Sequence, residues 1–457
     1  MTKPQCEKLA PTWAPNRIEQ LRIFFKTADF GYVKEQRQEL KTYCQPYLPS
    51  DKYKFRSELK CINYLRYCVG KNLFLDLKNL QQFQDESIRY REDFLQQGQI
   101  GGWNCELDKI TLESQSEHKS PLMSWFGEFE HFEVNQTSSS LELKCDYLFD
   151  KPVYVMKLDA PSNLYHHFCD FLNLYISFHV DGSRFDRNNQ ILIWDNHPYR
   201  STFSSTWKAF TKNPIQHLGM YTGKRICAKN IYFPHLPRMI YGMYYNMPLI
   251  PGCSGSGLFK AFNRHILHSF NDKISEELID RNVLVTFISR KTKHRKVLNE
   301  KELIQALKDA VSGSEVKVQT VNFDHRMNFL DQVEISSQSD VLIGMHGAGL
   351  THTLFQPDFG VLFELYNCQD SDCYSDLSRL RGTEYMTWER EDLVENFNPE
   401  CHSNSTCLLN QHAKFVDYKF DVEEFVRLSL LAIQKAKIRK ATFFNENFFI
   451  SRFYDEL

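Results

Sequence analysis

The most constraining feature of this sequence is a regular alternation of apolar and amphipathic segments between residues 283 and 365. Four apolar runs have the length of buried strands: Val283–Ile288, Val316–Val321, Val341–Ile343 and Gly360–Leu365. Between them we predict helices over 299–311 and 329–337, and a short helix up to Phe355 after a glycine turn. Strands and helices alternating at this spacing form βαβ units with a parallel sheet, so the chain is predicted to be α/β.

The remaining chain is predicted to be organised around this core. Apolar residues in 58–80 recur at helical spacing, so 1–150 is predicted to be a helical N-terminal extension. A strand at Val153–Met156, a helix over Tyr165–His179 and a strand at Ile191–Trp194 indicate a second α/β domain. The predicted divisions are the extension (1–150), a first α/β domain (151–255), a second α/β domain (256–420) and a C-terminal helix with a tail (421–457).

Charge and hydropathy exclude two classes of protein. The 55 Lys and Arg residues nearly balance the 57 Asp and Glu residues, whereas phosphate-backbone binding needs a basic excess. We therefore expect no nucleic-acid partner. No run reaches the roughly 18 consecutive apolar residues typical of a membrane span, so we expect no such span either.

Cysteines and short motifs indicate the secretory pathway. Thirteen cysteines, several closely spaced (Cys61 and Cys68, Cys368 and Cys373, Cys401 and Cys407), are typical of disulfides formed in an oxidising compartment. Asn135 and Asn404 each begin a glycosylation sequon. The last residues, Tyr454, Asp455, Glu456 and Leu457, resemble an endoplasmic reticulum retrieval signal. Met1 is not followed by a signal peptide, and we interpret this as a truncation.

The clearest ligand-binding motif is Gly344-Met-His-Gly-Ala-Gly-Leu350, which follows a predicted strand and opens a helix. Its glycines allow close backbone approach, and a helix N-terminus offers free N–H groups to a diphosphate. The residues assigned to this cradle are Gly344, His346, Gly347, Ala348, Gly349 and Leu350. Arg290 and Arg295 follow the strand at 283–288 and are predicted to neutralise phosphate charge. Glu364, at a strand end, is predicted to hold a ribose diol.

The other half contains candidate proton acceptors. His166 and Asp170 lie four residues apart on one face of a predicted helix, a spacing suited to a general base or to two metal ligands. Asp159 and Asp195, at predicted strand ends, are alternative bases, and Arg238 adds positive charge. A diphosphate cradle in one half and a base in the other suggest a nucleotide-sugar transferase.

Several motifs together resemble glycosyltransferase family sixty-one. They are Tyr165-His-His-Phe-Cys-Asp-Phe171, Leu236-Pro-Arg-Met239, Tyr241-Gly242, Arg295-Lys-Val-Leu-Asn299, Gly344-Met-His-Gly-Ala-Gly-Leu-Thr-His352 and Phe363-Glu-Leu-Tyr-Asn-Cys368. The resemblance extends over nearly the whole chain, from about Phe24 to the C-terminus.

The resemblance implies a specific activity. It implies a GT-B-like fold of two Rossmann-like domains and inverting transfer of N-acetylglucosamine from UDP-N-acetylglucosamine to Ser or Thr of folded EGF-like repeats, Notch-type receptors among them. It also implies the lumen of the endoplasmic reticulum and a signal peptide upstream of this chain. Asp170 is the preferred general base, and His166 is the second choice. No tightly bound cofactor is expected.

One departure from the family leaves alternatives open. Lys212-Asn213-Pro214 stands where the resemblance implies an acidic triplet that could bind a metal, so no divalent metal is expected, with a metal bound elsewhere as the alternative. Two other functions fit: a transferase acting on another acceptor, such as an O-mannosyl glycan, and a catalytically inactive luminal protein that binds EGF-like repeats.

Overall fold

A computed structural model describes residues 32–455, except 49–52, 54, 79–94, 139, 142–143, 183–185, 195–198, 241, 245–254, 271–281 and 399–411. The chain divides into two compact units, the first ending at Ile250 and the second beginning at Pro251. Each unit is described by itself.

The first unit is built on one large mixed sheet. Its strands are β1 (Lys41–Pro46), β2 (Glu58–Cys61), β3 (Cys68–Asp76), β4 (Ile100–Trp103), β5 (Cys105–Leu107), β6 (Phe132–Asn135), β7 (Tyr147–Phe149), β8 (Val153–Met156), β9 (Gln190–Ile193), β10 (Gln216–His217) and β11 (Arg225–Phe233). The order is β10-β9-β8-β11-β3-β2-β1-β5, with β4, β6 and β7 off this path. Strands β8 to β11 pair in parallel, whereas β11, β3, β2, β1 and β5 pair antiparallel.

Its α-helices are α1 (Tyr32–Glu39), α2 (Lys109–Glu113), α3 (Phe126–Phe129) and α4 (Leu164–Val180). Short 3₁₀ segments lie at Asn63–Leu65, Ser116–His118, Ser204–Ala209 and Leu218–Tyr221. The Asn163 side chain caps α4 by accepting a hydrogen bond from the backbone N–H of Tyr165. As predicted, α4 connects the parallel strands β8 and β9.

The predicted helical extension is wrong for the described part of residues 1–150. The apolar residues of 58–80 form the antiparallel pair β2–β3 instead, closed by a disulfide between Cys61 and Cys68. Leu59 and Val69 lie on these strands, and Leu65 lies in the turn between them. The helical spacing of these apolar residues therefore does not correspond to a helix. Long-range pairing of β3 with β11 decides the conformation, and the boundary predicted at 150 falls within one unit.

The second unit contains the predicted parallel sheet. Its strands are β12 (Val283–Ile288), β13 (Val316–Val321), β14 (Val341–Gly344), β15 (Val361–Glu364) and β16 (Glu384–Thr387), and a hairpin pairs β17 (Val394–Phe397) with β18 (Asp417–Phe420). The order β13-β12-β14-β15-β16 is parallel throughout. The α/β prediction is therefore confirmed for this unit.

Helices surround this second sheet. They are α5 (Gly257–Phe270), α6 (Glu300–Ala310), α7 (Phe329–Ser337), α8 (Cys373–Arg381) and α9 (Val422–Asp455), with 3₁₀ segments at Ala348–Phe355, Glu391–Leu393 and Ala413–Phe415. The core combines apolar strand residues with buried faces of α6 and α9, including Leu303 and Phe425. Burial of this apolar surface is the main source of the stability of the unit.

Disulfides stabilise the first unit. Cys44 bonds Cys105, Cys61 bonds Cys68, and Cys145 bonds Cys227. In the second unit, Cys368 and Cys373 do not form a disulfide with each other, although they are close in sequence. Cys401 and Cys407 lie outside the described residues.

Candidate active site

The carboxyl edge of the five-stranded sheet brings the donor-site candidates together. Ile288 at the end of β12 is in register with Gly344 of β14, which is in register with Glu364 of β15. The sheet order reverses between β12 and β14, because β13 lies on one side of β12 and β14 on the other. In open α/β sheets, ligands bind in the crevice at such a reversal. Arg290 follows β12 and the glycine turn follows β14, so both flank this crevice.

The turn at Gly347 is closely packed against two guanidinium groups. Gly347 has φ +146°, which is favourable for glycine alone. A Cβ at this position would overlap Nη1 of Arg290 and would lie 3.5 Å from Nη1 of Arg295. Arg290 Nε donates to the carbonyl of His294 at 3.0 Å, and Arg295 Nη1 donates to the carbonyl of His346 at 3.0 Å. The glycine is therefore required by backbone conformation and by the approach of both arginines.

The charge of these arginines makes the crevice suitable for an anion. Within the described residues, neither guanidinium is within ion-pairing distance of a carboxylate, and Nε of Arg295 is buried without a hydrogen-bond partner. Burial, together with the neighbouring charge of Arg295, lowers the pKa of Arg290 to about 10. Two adjacent cations raise each other's energy, and a diphosphate would relieve this repulsion while accepting charge-assisted hydrogen bonds.

The remaining residues of the cradle act mainly through the backbone. Gly344 ends β14, and Gly347 precedes the 3₁₀ helix that starts at Ala348. The N–H of Leu350 already donates to the carbonyl of Gly347 at 2.9 Å, and the Leu350 side chain is buried in the unit. Leu350 therefore shapes the turn, and its side chain is not available to a ligand.

His346 is the imidazole of the site, and Glu364 orients it. His346 Nδ1 lies 2.8 Å from Oε1 of Glu364, and the hydroxyl of Tyr385 donates to the other oxygen of Glu364. Glu364 is fully buried, and this burial raises its pKa despite the His346 and Tyr385 hydrogen bonds. Each carboxylate oxygen of Glu364 already has a partner within the protein, and the contact with a ribose diol stays a prediction.

Sequence reasoning missed two charged residues beside His346. Oδ2 of Asp370 lies 3.6 Å from His346 Nε2 and 2.6 Å from Nζ of Lys414. Asp370 follows β15 after a short turn, so its position in the sequence could have placed it near the carboxyl edge of the sheet. Lys414 lies 44 residues further along the chain, and no local pattern could have placed it there.

In the first unit, the structure assembles a different group from the one expected. His166 Nδ1 lies 2.7 Å from Oδ2 of Asp159, and Arg238 donates from Nε and Nη2 to Asp159 at 3.1 and 3.0 Å. Burial alone would raise the pKa of Asp159, but the bonds from His166 and Arg238 outweigh burial and lower it. Asp159 is therefore an ionised carboxylate that orients an imidazole, the arrangement a histidine general base needs.

Asp170, the preferred base of the sequence analysis, is wrongly placed for that role. Its side chain is fully buried, with Oδ2 3.1 Å from His167 Nδ1 and Oδ1 accepting from the Asp159 N–H at 3.2 Å. The helical spacing predicted that Asp170 and His166 share one face of the helix. In the structure, the Asp170 side chain is buried in the unit, whereas the His166 side chain is partly exposed. Asp170 thus positions the backbone of Asp159.

Other predicted residues have simpler outcomes. Asn135 is exposed at the end of β6, where a glycan would fit, and Asn404 lies outside the described residues, as do Asp195, Glu456 and Leu457. Lys212–Pro214 lies in the first unit, where the Asn213 side chain donates to the carbonyl of Asn189 at 2.6 Å. Across the described residues, no cluster of three or more His, Cys, Asp or Glu side chains is arranged to hold a metal, and no helix is long and apolar enough to span a bilayer.

Comparison with known proteins decides the family. Residues 164–362, which include His166, Arg238, Arg290, Arg295, His346 and Gly347, match the model of glycosyltransferase 61. The EGF domain-specific O-linked N-acetylglucosamine transferase of Canis lupus familiaris is 46% identical over 433 residues, covering 94% of this chain and 79% of the relative. The chain belongs to glycosyltransferase family 61.

Relatives from two other animals match this chain to a similar extent. The proteins of the same name from Xenopus laevis and Drosophila melanogaster are 47% and 44% identical, each covering 93% of this chain and 78% and 79% of the relative. These relatives are named as O-linked N-acetylglucosamine transferases, and the family model suggests an enzyme that uses a nucleotide-sugar donor.

Proposed function

We propose that this family 61 enzyme transfers N-acetylglucosamine from UDP-N-acetylglucosamine to Ser or Thr of folded EGF-like repeats in secreted and cell-surface proteins, Notch-type receptors among them. The observation that carries the proposal is the pair of guanidiniums at Gly347, which lack an ion-pair partner among the described residues. The names of the relatives support the sugar and the acceptor.

In the donor site, Arg290 and Arg295 hold the two phosphates beside the turn at Gly347. As the bond from the anomeric carbon to the diphosphate breaks, negative charge accumulates on the leaving UDP. Fixed cations beside that charge stabilise the transition state more than the ground state. His346, oriented by Glu364, adds a hydrogen-bond donor on the same side.

In the acceptor site, His166 is the general base. Asp159 takes a hydrogen bond from Nδ1, which leaves the basic lone pair on Nε2. The acceptor hydroxyl loses its proton to His166 while its oxygen bonds to the anomeric carbon, and UDP departs with the electron pair of the broken bond. This single displacement inverts an α-linked donor to a β-linked product. In this proposal, the two units are the Rossmann-like domains of a GT-B-like enzyme.

The same proposal places the enzyme in the lumen of the endoplasmic reticulum. Three disulfides, an exposed sequon at Asn135 and the terminal Asp-Glu-Leu support an oxidising secretory compartment. The proposal needs no tightly bound cofactor, and the arginines take the charge-neutralising role that a metal has in other transferases.

The test is sugar transfer by the purified protein, measured by intact mass. A folded EGF-like repeat, the same repeat reduced and unfolded, and an O-mannosyl glycopeptide are each incubated with UDP-N-acetylglucosamine, with and without EDTA. One added N-acetylhexosamine on the folded repeat, in the β configuration by NMR, is expected. Arg295→Gln should abolish turnover and retain the melting temperature.

Other outcomes contradict the proposal in distinct ways. Transfer to the O-mannosyl glycopeptide alone would replace the acceptor. Binding of the folded repeat without transfer would indicate an inactive binding protein. Loss of transfer with EDTA would show that a metal is required, and near-normal turnover by Arg295→Gln would remove that residue from the mechanism.

A further inference from the structure

The proposed diphosphate site contains a negative charge that opposes binding of its ligand. The carboxylate of Asp370 lies beside the His346 side chain. His346 is on the same turn as Gly347, and its carbonyl accepts a hydrogen bond from Arg295. Its position is closely defined, because its N–H donates to the carbonyl of Asn367 at 3.0 Å and the N–H of Gln369 donates to the Asn367 side chain at 3.0 Å. A carboxylate fixed here repels a diphosphate bound to the arginines.

Lys414 neutralises this carboxylate in the structure. Its Nζ lies 2.6 Å from the same Asp370 oxygen that faces His346, and both side chains are about one-third exposed, with 35% of each accessible. The segment that contains Lys414 is attached to the arginine loop, because the N–H of Arg295 donates to the carbonyl of Val416 at 2.8 Å. The backbone segment that contains Lys414 is therefore held beside the arginine loop by a contact independent of Asp370.

We infer that Lys414 is a third cation for the diphosphate and that Asp370 is its counter-ion when the site is empty. On binding of the nucleotide, the ammonium exchanges the carboxylate of Asp370 for a phosphate oxygen. Asp370 then competes with the product UDP for the same lysine, and this competition limits how tightly UDP is retained. The inference rests on the proposed function, since it takes UDP as the ligand.

The test is calorimetric titration of the purified protein with UDP and with uridine, which lacks phosphate. Lys414→Ala should weaken UDP binding about tenfold, and Asp370→Asn should strengthen it several-fold, because it frees the ammonium and removes the repulsion. Uridine affinity should change in neither variant. In the double variant, the part of the gain that comes from freeing the ammonium should disappear, since it acts through Lys414, and only the part that comes from removing the repulsion should remain.

Lys419→Ala is the matched control, because Lys419 is an exposed lysine of β18 paired with Glu395 at 3.4 Å. It should leave both affinities unchanged, and melting curves should show that all variants fold. Unchanged UDP affinity in Lys414→Ala, or weaker UDP binding in Asp370→Asn, would overturn the inference while leaving UDP as the donor. Failure of the unaltered protein to bind UDP would instead overturn the proposed donor, and this inference with it.

Discussion

Replacement of Gly347 by alanine tests the donor site through a single methyl group. Gly347 has φ +146° and ψ 170°, a region that is essentially restricted to glycine and costs another residue about 1–3 kcal/mol. The added Cβ would also overlap Nη1 of Arg290, so this guanidinium must move. The substitution thus has two separable effects, on stability and on ligand binding.

The two effects have different expected magnitudes. The conformational cost applies with and without ligand, so it lowers the melting temperature of the unit by roughly 2–12 °C at 2–4 °C per kcal/mol. The displacement of Arg290 removes a charge-assisted hydrogen bond to phosphate, worth about 1.5–3 kcal/mol. UDP binding should therefore weaken roughly 10- to 150-fold.

Gly349→Ala is the matched control for this prediction. Gly349 has no positive φ, and its added Cβ would meet only the Cγ2 of Ile288 at 3.6 Å, an ordinary contact. Calorimetric titration with UDP and thermal unfolding should be measured for both variants. Equal UDP affinity in Gly347→Ala and in the unaltered protein would refute the claim that Arg290 binds the diphosphate.

Three further predictions address the base, a buried histidine and a disulfide. His166→Gln should lower kcat about 100- to 10,000-fold without changing UDP affinity, and Asp159→Asn should lower kcat less. If His166→Gln had the same kcat as the unaltered protein, His166 would not be the general base. Burial lowers the pKa of His352 to about 4, so its stabilising contribution is complete above the unfolded value near 6.5 and is lost as pH falls towards 4. His352→Leu should flatten the fall of unfolding free energy between pH 6.5 and 4 by up to about 1.4 kcal/mol per pH unit, and an unchanged slope in denaturant titrations would contradict this. Cys145→Ser with Cys227→Ser opens a link between residues 82 apart and should cost about 4.5 kcal/mol in the chain-entropy model, measured by denaturant unfolding; a loss below 1 kcal/mol would contradict it.

Local patterns were sufficient to predict four of the five strands in the parallel sheet of the second unit. The central strands β12, β14 and β15 are buried on both faces, so they read as apolar runs, and the connecting helices follow at short distances. The glycine turn and the arginines were recognisable because parallel strands place their carboxyl ends at one edge. The sequence could therefore predict this side of the site as a phosphate cradle.

The rest depends on contacts between distant residues. The β2–β3 hairpin has an apolar spacing that fits a helix, and only pairing of β3 with β11 distinguishes the two. Similarly, Glu364 has the sequence position of a ribose ligand, but His346 and Tyr385 occupy its oxygens. In the first unit, only the structure shows that Asp170 points inward while Asp159 faces His166.

The most direct test of the central claim is a crystal structure of the protein with UDP. The account predicts diphosphate oxygens within hydrogen-bonding distance of the guanidiniums of Arg290 and Arg295, at the turn of Gly347. Ordered UDP bound elsewhere in the protein, with both arginines free of phosphate contacts, would contradict it.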